Sequence, residues 1–427
     1  MRDIKDLRAS INRSDDKLRE LFEERMAAVR EVAEYKAANG MPILDQSREA
    51  EVVTRNSALL SDDTLKPYYV DFIKNTMRIS KNLQADLMRA PIPDCELMEI
   101  KLGDASYGID IGEGIIARAH ERFDLDRKVF IVTDSGVPRE YSEAIALQCR
   151  EARIFTFPEG EENKSAATLE KILSEMLDFG MQRSDTAVAV GGGVVGDITA
   201  LAASLYMRGI DFYNVPTTLL SAVDSSIGGK CAVNLGKTKN AVGAFYQPKG
   251  VLIDTDTLKT LDKRQFTSGL AEVVKMAATS DEQLFSMLEE GLAQRDTKTL
   301  IYRALSIKKR VVEEDEKELG PRRILNFGHT LGHGIEALGG RLHGECVALG
   351  MVPMATGDAR ARITALLGRL GLEAVAEYDL DGALGFIKHD KKASGEFVHA
   401  VVVDKIGHGR IERLFTADLC ERIRKNV

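Results

Sequence analysis

Thr186-Ala-Val-Ala-Val190, followed at once by Gly191-Gly-Gly-Val-Val-Gly196-Asp197 and a helix-compatible run from Ile198, decides the fold of this chain. A short apolar run bounded by glycine reads as a buried strand, and the glycine turn hands it on to a helix. Gly191, Gly193 and Gly196 satisfy G-x-G-x-x-G, whose glycines let backbone N–H groups and a helix N-terminus approach a pyrophosphate. A glycine turn built only for packing fits the same spelling, because the stretch falls late in its domain rather than in a first βαβ unit. The flanking sequence favours ligand binding. Lys128 to Thr133 reads as a second strand, and Glu159-Gly-Glu-Glu-Asn-Lys164 as a polar loop before another helix. Pro216-Thr-Thr-Leu-Leu220 and Val223-Asp-Ser-Ser-Ile-Gly-Gly-Lys-Cys-Ala-Val-Asn234 are dense in small polar residues around Lys230, and Lys239-Asn240 follow. Such loops bind phosphate or hydroxyl groups more often than they fill cores. The alternation predicts an α/β, Rossmann-like domain over residues 91–255.

The whole chain has 427 residues, enough for two to four domains at roughly 150 residues each. Its 58 basic and 66 acidic side chains leave a net charge of −8 without charged runs, which argues against nucleic acid or an anionic membrane as partner. No apolar segment is long enough to span a bilayer, and Met1-Arg2-Asp3-Ile4-Lys5-Asp6 has no apolar leader core, so a soluble cytoplasmic protein is expected. Cys95, Cys149, Cys231, Cys346 and Cys420 are odd in number and scattered, unlike a disulfide framework or thiolate zinc site.

Glycine marks a boundary. Of 36 glycines only Gly40 precedes residue 91, and Pro91-Ile92-Pro93 makes a short stiff connection. Residues 1–90 read as all-helical. Ile4, Leu7, Ile11, Leu18, Leu21, Phe22, Val29, Val32 and Ala33 form the stripe of one long helix, about 50 Å over Ile4 to Lys36, ended by Gly40 and Pro42. Its successors cannot cover that length, so a second protomer is expected. Asp45 is the expected N-cap of the next helix, and Pro67 suits the first turn of the one after Asp62-Asp63. Arg25 and Lys36, eleven residues apart, point the same way and call for an anion, whereas Arg8 is rotated about 100° from Arg25 toward another surface or subunit. Ser80 and Gln84 share a face of the last helix. Solvated charges on a plain helical bundle would also fit.

From Asp256 to residue 427 the pattern is mainly helical. Glu272-Val-Val-Lys275 lies on one candidate helix, and Arg322-Arg-Ile-Leu-Asn326-Phe-Gly-His329-Thr-Leu-Gly-His333 precedes His343-Gly-Glu345. A carboxylate with two histidines gives a three-ligand site with coordination left open for substrate. Spacing alone nominates His329 with His333, at i and i+4, as the imidazole pair.

Residues 1–90 resemble the all-helical chorismate mutases. Arg8, Arg25, Lys36, Asp45, Arg48, Glu49, Ser80 and Gln84 match, in order and spacing, that family's active-site pattern. The resemblance implies an intertwined homodimer that rearranges chorismate to prephenate by positioning and electrostatics. It implies that Arg25, and Arg8 from the partner subunit, bind the two carboxylates, with Ser80 assisting. Lys36 and Gln84 would donate to the ether oxygen, Asp45 and Glu49 would hold the hydroxyl, and Arg48 would support the site.

Glu96 to Val427 resemble 3-dehydroquinate synthase. The carrying segments are Glu159 to Lys164, Gly193 to Asp197, Thr217-Thr218, Val223 to Asn234, Lys239-Asn240, Gly269 to Lys275, Asn326 to Glu336 and His343-Gly344-Glu345. The resemblance implies that Glu272, His329 and His343 bind Zn²⁺ or Co²⁺, leaving His333 for proton transfer and substrate. NAD would rest on Gly193, Val194, Val195, Gly196 and Asp197, with Glu159, Gly160, Glu161, Glu162, Asn163, Lys164, Thr217, Thr218, Lys230, Lys239, Thr257, Leu258, Lys259 and Thr260 around it. Arg208, Lys230, Lys275, Lys308, Arg322 and one of Lys391 or Lys392 would hold the phosphate and carboxylate of 3-deoxy-D-arabino-heptulosonate 7-phosphate. Asp224, Asn240 and Asn326 would complete the polar lining. The implied reaction oxidises this substrate with NAD, eliminates phosphate with the substrate's own phosphate as base, reduces it again and closes the ring to 3-dehydroquinate. Departures are modest: Cys231 stands where threonine is usual, the His333–His343 loop is short, and Asn234 to Asn240 lacks the usual proline.

The architecture expected is therefore multidomain: an all-α chorismate-mutase-like module, an α/β Rossmann-like NAD-binding domain, and a mainly α-helical metal-binding domain. Competing expectations are a metal-dependent polyol dehydrogenase or another sugar-phosphate cyclase for the body, and a non-catalytic dimerisation or chorismate- or prephenate-sensing module at the N-terminus.

Overall fold

The computed structural model describes residues 3–39, 41, 43, 46–87, 95–236, 238–391 and 397–426. Asp45, Gly40, Pro42, the Pro91-Ile92-Pro93 connection and Lys392 lie outside them. The chain divides into two compact units, Met1–Ile92 with Ala117–Val129 and Glu143–Ala152, and Pro93–Ile116 with Phe130–Ser142 and Arg153–Val427.

In the first unit α1 (Ile4–Ala38) runs unbroken for 35 residues, α2 spans Gln46–Ser57 and α3 spans Lys66–Leu87. The Asp62 carboxylate accepts the Thr64 N–H at 2.9 Å and starts the short turn that leads into α3, with Pro67 in its first turn. Cover is confined to the C-terminal half of α1, where Met26, Val29 and Ala33 are buried and Val32 of the expected stripe stays exposed. Ile4, Leu7, Ile11, Leu18, Leu21 and Phe22 are exposed, a row of apolar side chains that one chain leaves in water.

The second unit is built on a seven-stranded sheet in the order β1-β2-β9-β6-β5-β3-β4. Its strands are β1 (Glu96–Ile100), β2 (Tyr107–Gly112), β3 (Lys128–Asp134), β4 (Glu151–Phe157), β5 (Thr186–Gly191), β6 (Asp211–Pro216) and β9 (Gly250–Asp254). β7 (Lys230–Leu235) and β8 (Thr238–Phe245) form a separate antiparallel hairpin. β5 and β6 pair in parallel with Gly191 opposite Pro216, and β6 and β2 both run parallel to β9. The helix after β5, α4 (Gly193–Leu205), supplies the crossover. β5 is buried at every position, as a central parallel strand covered on both faces must be. The carboxyl ends Gly191, Pro216 and Asp254 therefore lie side by side, the place where open α/β sheets take ligands.

The rest is mainly helical, as expected, with α5 (Lys263–Ser280), α6 (Thr297–Glu314), α7 (His329–Leu338) and α8 (His343–Met351) around the site. One element differs from the expectation: β10 (Phe397–Lys405) and β11 (His408–Phe415) pair as an antiparallel hairpin. Phe397-Val-His-Ala-Val-Val-Val403 is a β-branched run, and Val401, Val402 and Val403 are buried in the same core as α5. Among the described residues no helix is long and apolar enough to cross a membrane.

Candidate active sites

In the helical unit, burial selects the functional polar groups. Ser80 and Gln84 are buried one turn apart on α3, and Arg25 of α1 donates to the Ser80 hydroxyl and, at 3.4 Å, to the Thr76 carbonyl. Burial lowers the Arg25 pKa, yet a guanidinium stays charged. Gln84 donates to the Ser80 carbonyl at 3.4 Å, while its own Oε1 is buried and unpaired. Lys36 donates to the Ile43 carbonyl at 2.7 Å. Arg48 pairs with Glu51 at 2.8 Å, and Glu49 with Lys81 at 2.8 Å, a partner not anticipated from sequence. Arg8 stands exposed on α1, seventeen residues and about 25 Å of helix before Arg25. One chain thus brings Arg25, Ser80 and Gln84 together and leaves Arg8 apart.

In the larger unit, the glycines of the β5–α4 turn are enforced by close neighbours. A Cβ on Gly193 would lie 3.0 Å from Ser225 Oγ, and one on Gly196 3.1 Å from Asn214 Nδ2. The N-cap residue of α4, Gly192, has no side chain to cap the first N–H groups, and the Ser225 hydroxyl beside Gly193 is buried without a hydrogen-bond partner among the described residues. Lys164 reaches Asp197 at 2.5 Å and the Asn240 Oδ1 at 2.6 Å, tying the polar loop, the helix and the β7–β8 hairpin together. Burial raises the Asp197 carboxyl, with Lys164 opposing. Glu161 accepts from Asn234 at 2.9 Å, and Asn163 donates to the Glu159 carbonyl at 3.0 Å, which fixes the loop around Gly160, and the exposed Glu162 folds its carboxylate back against Gly160. The Thr217 N–H bonds the Gly191 carbonyl at 2.9 Å, and Thr218 lies against Gly192. The Thr257 hydroxyl donates to the Asp254 carbonyl at 2.7 Å, and Thr260 meets Tyr141 at 2.8 Å. Val194 and Val195 pack toward the core, as does Leu258, so only their backbones are available to a dinucleotide; the exposed Lys259 pairs with Asp256 at 2.6 Å.

The metal-ligand candidates converge although they come from three helices. Glu272 lies in mid-α5 and is fully buried; His329 and His343 open α7 and α8. Their Nε2 atoms stand 3.7 and 3.5 Å from the same Glu272 Oε1. Glycine makes the approach possible: a Cβ on Gly344 would lie 1.9 Å from the Ser268 carbonyl oxygen, so the start of α8 meets the α5 backbone directly. The Gly344 N–H also bonds Ser268 Oγ at 3.1 Å. Helical spacing nominated His329 with His333, but their rings stack edge to face at 5.2 Å and it is His343 that joins His329 on Glu272. His333, Glu336 and His343 form a second grouping that shares His343.

This donor set fits a divalent ion. Glu272 is completely buried: Oε2 is paired with the Lys275 ammonium, while Oε1 has no hydrogen-bond partner and faces the Nε2 atoms of both histidines. Each histidine uses Nδ1 elsewhere, His329 on the Phe327 carbonyl and His343 on Glu336, both at 3.2 Å, which frees Nε2 for coordination. Burial holds the His329 pKa well below its usual value, so the ring is neutral as a ligand must be. At His343 burial opposes the cation, but Glu272 and Glu336 overcome it and lift the pKa to about 10, evidence of a local field that favours positive charge. Burial and the neighbouring His343 lower His333, leaving it neutral at pH 7.

Beside this cluster lie Lys230, Lys275, Lys308 and Arg322. Asp224 pairs with Lys275 at 3.4 Å and with Lys308, and these two cations pull its carboxyl well below the usual range against burial. Burial, then repulsion from Arg322 and Lys308, drops Lys230 to about 8. Arg322 is committed to backbone, bonding the Gly228 carbonyl at 3.2 Å and that of Glu316. Sequence reasoning missed Glu318, whose carboxylate lies between Lys230 and Asn326, with Asn326 Nδ2 donating at 2.7 Å. Its φ of 57° in the Asp315–Gly320 turn was the feature to look for, but backbone strain is invisible to composition. Arg208 is exposed on a left-handed turn, at φ 68°, and no described contact joins it to the cluster. Lys391 ends a helix, Leu380–Lys391, and its side chain is not among the described groups.

Residues 154–268 match the family model for the 3-dehydroquinate synthase N-terminal region, and residues 269–393 that for the C-terminal region. A 3-dehydroquinate synthase of Clostridium kluyveri is 37% identical over 341 residues, covering 74% of this chain and 95% of that protein. This chain belongs to the 3-dehydroquinate synthase family. Residues 7–85 match the model for chorismate mutase type II, so the synthase carries a chorismate mutase domain ahead of it. Among solved structures, 2-deoxy-scyllo-inosose synthase complexed with carbaglucose-6-phosphate, NAD⁺ and Co²⁺ is 27% identical at a TM-score of 0.70, covering 78% of this chain and all of that one. A 2-epi-5-epi-valiolone synthase from Streptomyces hygroscopicus with NAD⁺ and Zn²⁺ bound is 27% identical at 0.69, covering 76% of this chain and 97% of that one. The chain is thus a 3-dehydroquinate synthase fused to a chorismate mutase, a lyase and an isomerase of aromatic biosynthesis.

Proposed function

We propose that Glu272, His329 and His343 hold Zn²⁺ or Co²⁺, that the β5–α4 turn holds NAD, and that the cations beside them bind 3-deoxy-D-arabino-heptulosonate 7-phosphate. One observation carries this reading: three convergent ligand groups stand next to Lys230, Lys275, Lys308 and Arg322, and among the described residues the carboxylates outside the ligand set that pair with the three lysines are Asp224 and Glu318, while Asp315 and Glu316 face Arg322. A site with such a cluster of cations suits a substrate bearing both phosphate and carboxylate, and disfavours the neutral polyol of a dehydrogenase. When bound, the metal polarises the reacting hydroxyl and carbonyl while the nicotinamide accepts and returns a hydride.

The chain's own residues do the rest. The first N–H groups of α4 receive the pyrophosphate, while Lys164, Thr217, Thr218 and Lys239 line the approach. Lys230 and Lys308 face the substrate anions, and Lys275 holds Asp224 in place. His333 is neutral, so it can take a proton at a ring nitrogen, and Glu318 offers a second acceptor beside Lys230. Phosphate departs with the substrate's own phosphate as base, so no enzyme base is needed there.

In the N-terminal domain Arg25 and Ser80 bind one carboxylate of chorismate, and Lys36 and Gln84 stabilise charge on the ether oxygen. Asp45 and Glu49 hold the hydroxyl, and Arg48 supports them. Arg8 serves the site of a partner subunit in a homodimer, a reading supported by the bare apolar half of α1. The boundary expected near residue 90 suits this division; for the second, expected at 255, the two matched synthase regions meet at 268/269, and both lie in one compact unit. Five free cysteines support a reducing, cytoplasmic setting.

The test offers the heptulosonate phosphate and sedoheptulose 7-phosphate separately, with NAD and Zn²⁺. Chelator-sensitive phosphate release from the first alone is expected. Release only from the second, or steady NADH build-up, would overturn the assignment.

A further inference from the structure

Glu336 divides its carboxylate between two halves of the site. Oε2 stands 3.2 Å from His343 Nδ1, and Oε1 2.9 Å from the ammonium of Lys239. Glu336 is nearly buried on α7, whereas Lys239 comes from the β7–β8 hairpin and is 43% exposed. Glu336 has so far entered only as the partner of His343 Nδ1, and its bond to Lys239 has no part in the chemistry above.

We propose that Glu336 is a positioning residue that fixes His343 for the metal, and that Lys239, by drawing on the same carboxylate, couples dinucleotide binding to metal affinity. The first part follows from tautomer logic. A proton on His343 Nδ1, held by Glu336, leaves Nε2 with its lone pair toward Glu272, and an anionic partner makes that nitrogen a better donor. The second part follows from charge. An ammonium on Oε1 withdraws density from the carboxylate and adds a positive charge near the ion, and both effects weaken the metal's hold. Lys239 also lies where the proposed function puts the dinucleotide, and this part rests on that reading. When a pyrophosphate attracts Lys239, Glu336 is released to His343 alone and the ion is held more tightly. Linkage then requires the metal to tighten NAD by the same factor.

The experiment follows Zn²⁺ transfer from the full-length, metal-loaded protein to a chelating indicator, with and without NAD. Parallel Co²⁺ spectra read the ligand field, and circular dichroism with a melting curve controls for folding. Glu336→Gln should weaken metal binding about 10- to 100-fold and alter the Co²⁺ bands. Lys239→Met should tighten Zn²⁺ in the absence of NAD and abolish the NAD effect, about fivefold or more in the parent. In the Glu336→Gln background, Lys239→Met should no longer change Zn²⁺ affinity. Unchanged metal affinity and Co²⁺ spectrum in a folded Glu336→Gln protein would overturn the proposal. An undiminished Lys239 effect in that background would overturn the route through Glu336. If Lys239→Met shifts Zn²⁺ affinity but leaves NAD affinity as in the parent, the failure lies with the dinucleotide reading of the hairpin and not with Glu336.

Discussion

Asp224 is the counter-ion on which the buried cations of the synthase site depend, and Asp224→Asn removes its charge while keeping its shape. Lys275 and Lys308 are 1% and 4% exposed. Lys275 keeps a second anion in Glu272, but Lys308 contacts no described carboxylate other than Asp224, which it meets through both the carboxylate and the backbone carbonyl. At an effective dielectric near 20, a unit pair at the 3.4 Å of Lys275–Asp224 is worth about 5 kcal/mol before desolvation is counted. Measured losses on stranding one partner of a buried pair run at about 3–5 kcal/mol. Asp224→Asn should therefore lower the stability of the larger unit by about 3 kcal/mol or more, seen as a drop of several degrees in its calorimetric transition.

The pH dependence has a definite sign. Burial already depresses Lys308, with Asp224 opposing, so losing Asp224 depresses it further. Below its folded pKa the lysine stays charged and the penalty is complete. As pH rises from there toward the ordinary lysine value, the folded state binds fewer protons than the unfolded one and stability recovers. Parent and variant transitions should therefore converge at high pH. Asp224→Asn combined with Lys308→Met should recover much of the loss at neutral pH. A single variant within 1 kcal/mol of the parent, or one whose deficit grows with pH, would refute the reasoning.

Lys230, at about 8, makes substrate affinity pH-sensitive: KM for the heptulosonate phosphate should rise as pH climbs through that value, and Lys230→Arg should move the rise beyond pH 10, so identical profiles would refute the role. Gly193→Ala places a Cβ 3.0 Å from Ser225 Oγ at the N-terminus of α4, so NAD affinity by fluorescence titration should fall at least about tenfold in a variant that circular dichroism shows to be folded; an unchanged affinity would remove the pyrophosphate from that turn. Leu18→Glu, on the exposed stripe of α1, should halve the mass measured by light scattering and abolish chorismate turnover because Arg8 no longer reaches a partner's site. A dimer with full mutase activity would contradict that arrangement.

The central strand and glycine turn were legible because β5 is covered on both faces, which demands an unbroken apolar run. The length of α1 was legible from its 3.6-residue stripe, and its excess over what the following helices can cover already implied apolar side chains left in water by one chain. The candidate metal site was legible in its members, with Glu272, His329 and His343 implied by the family resemblance, but not in its pairing from spacing alone. His329 and His333 share a helix and invite an i, i+4 reading, whereas the geometry depends on Glu272, reached only through long-range packing of α8 against α5 at Gly344. Glu318 and Glu336 escaped for a related reason: a carboxylate among many acids acquires meaning only when Asn326 or His343 arrives beside it. The hairpin β10–β11 carried a β-branched run, but its place in the core of the helical region is tertiary.

The most direct measurement follows phosphate release from the heptulosonate phosphate and consumption of chorismate in one preparation of the full-length chain, beside Glu272→Gln and Arg25→Ala. Both turnovers are expected in the parent, with Glu272→Gln losing only the first and Arg25→Ala only the second. Loss of both activities in either folded variant, or NADH accumulation without phosphate release in the parent, would contradict two independent active sites on one chain.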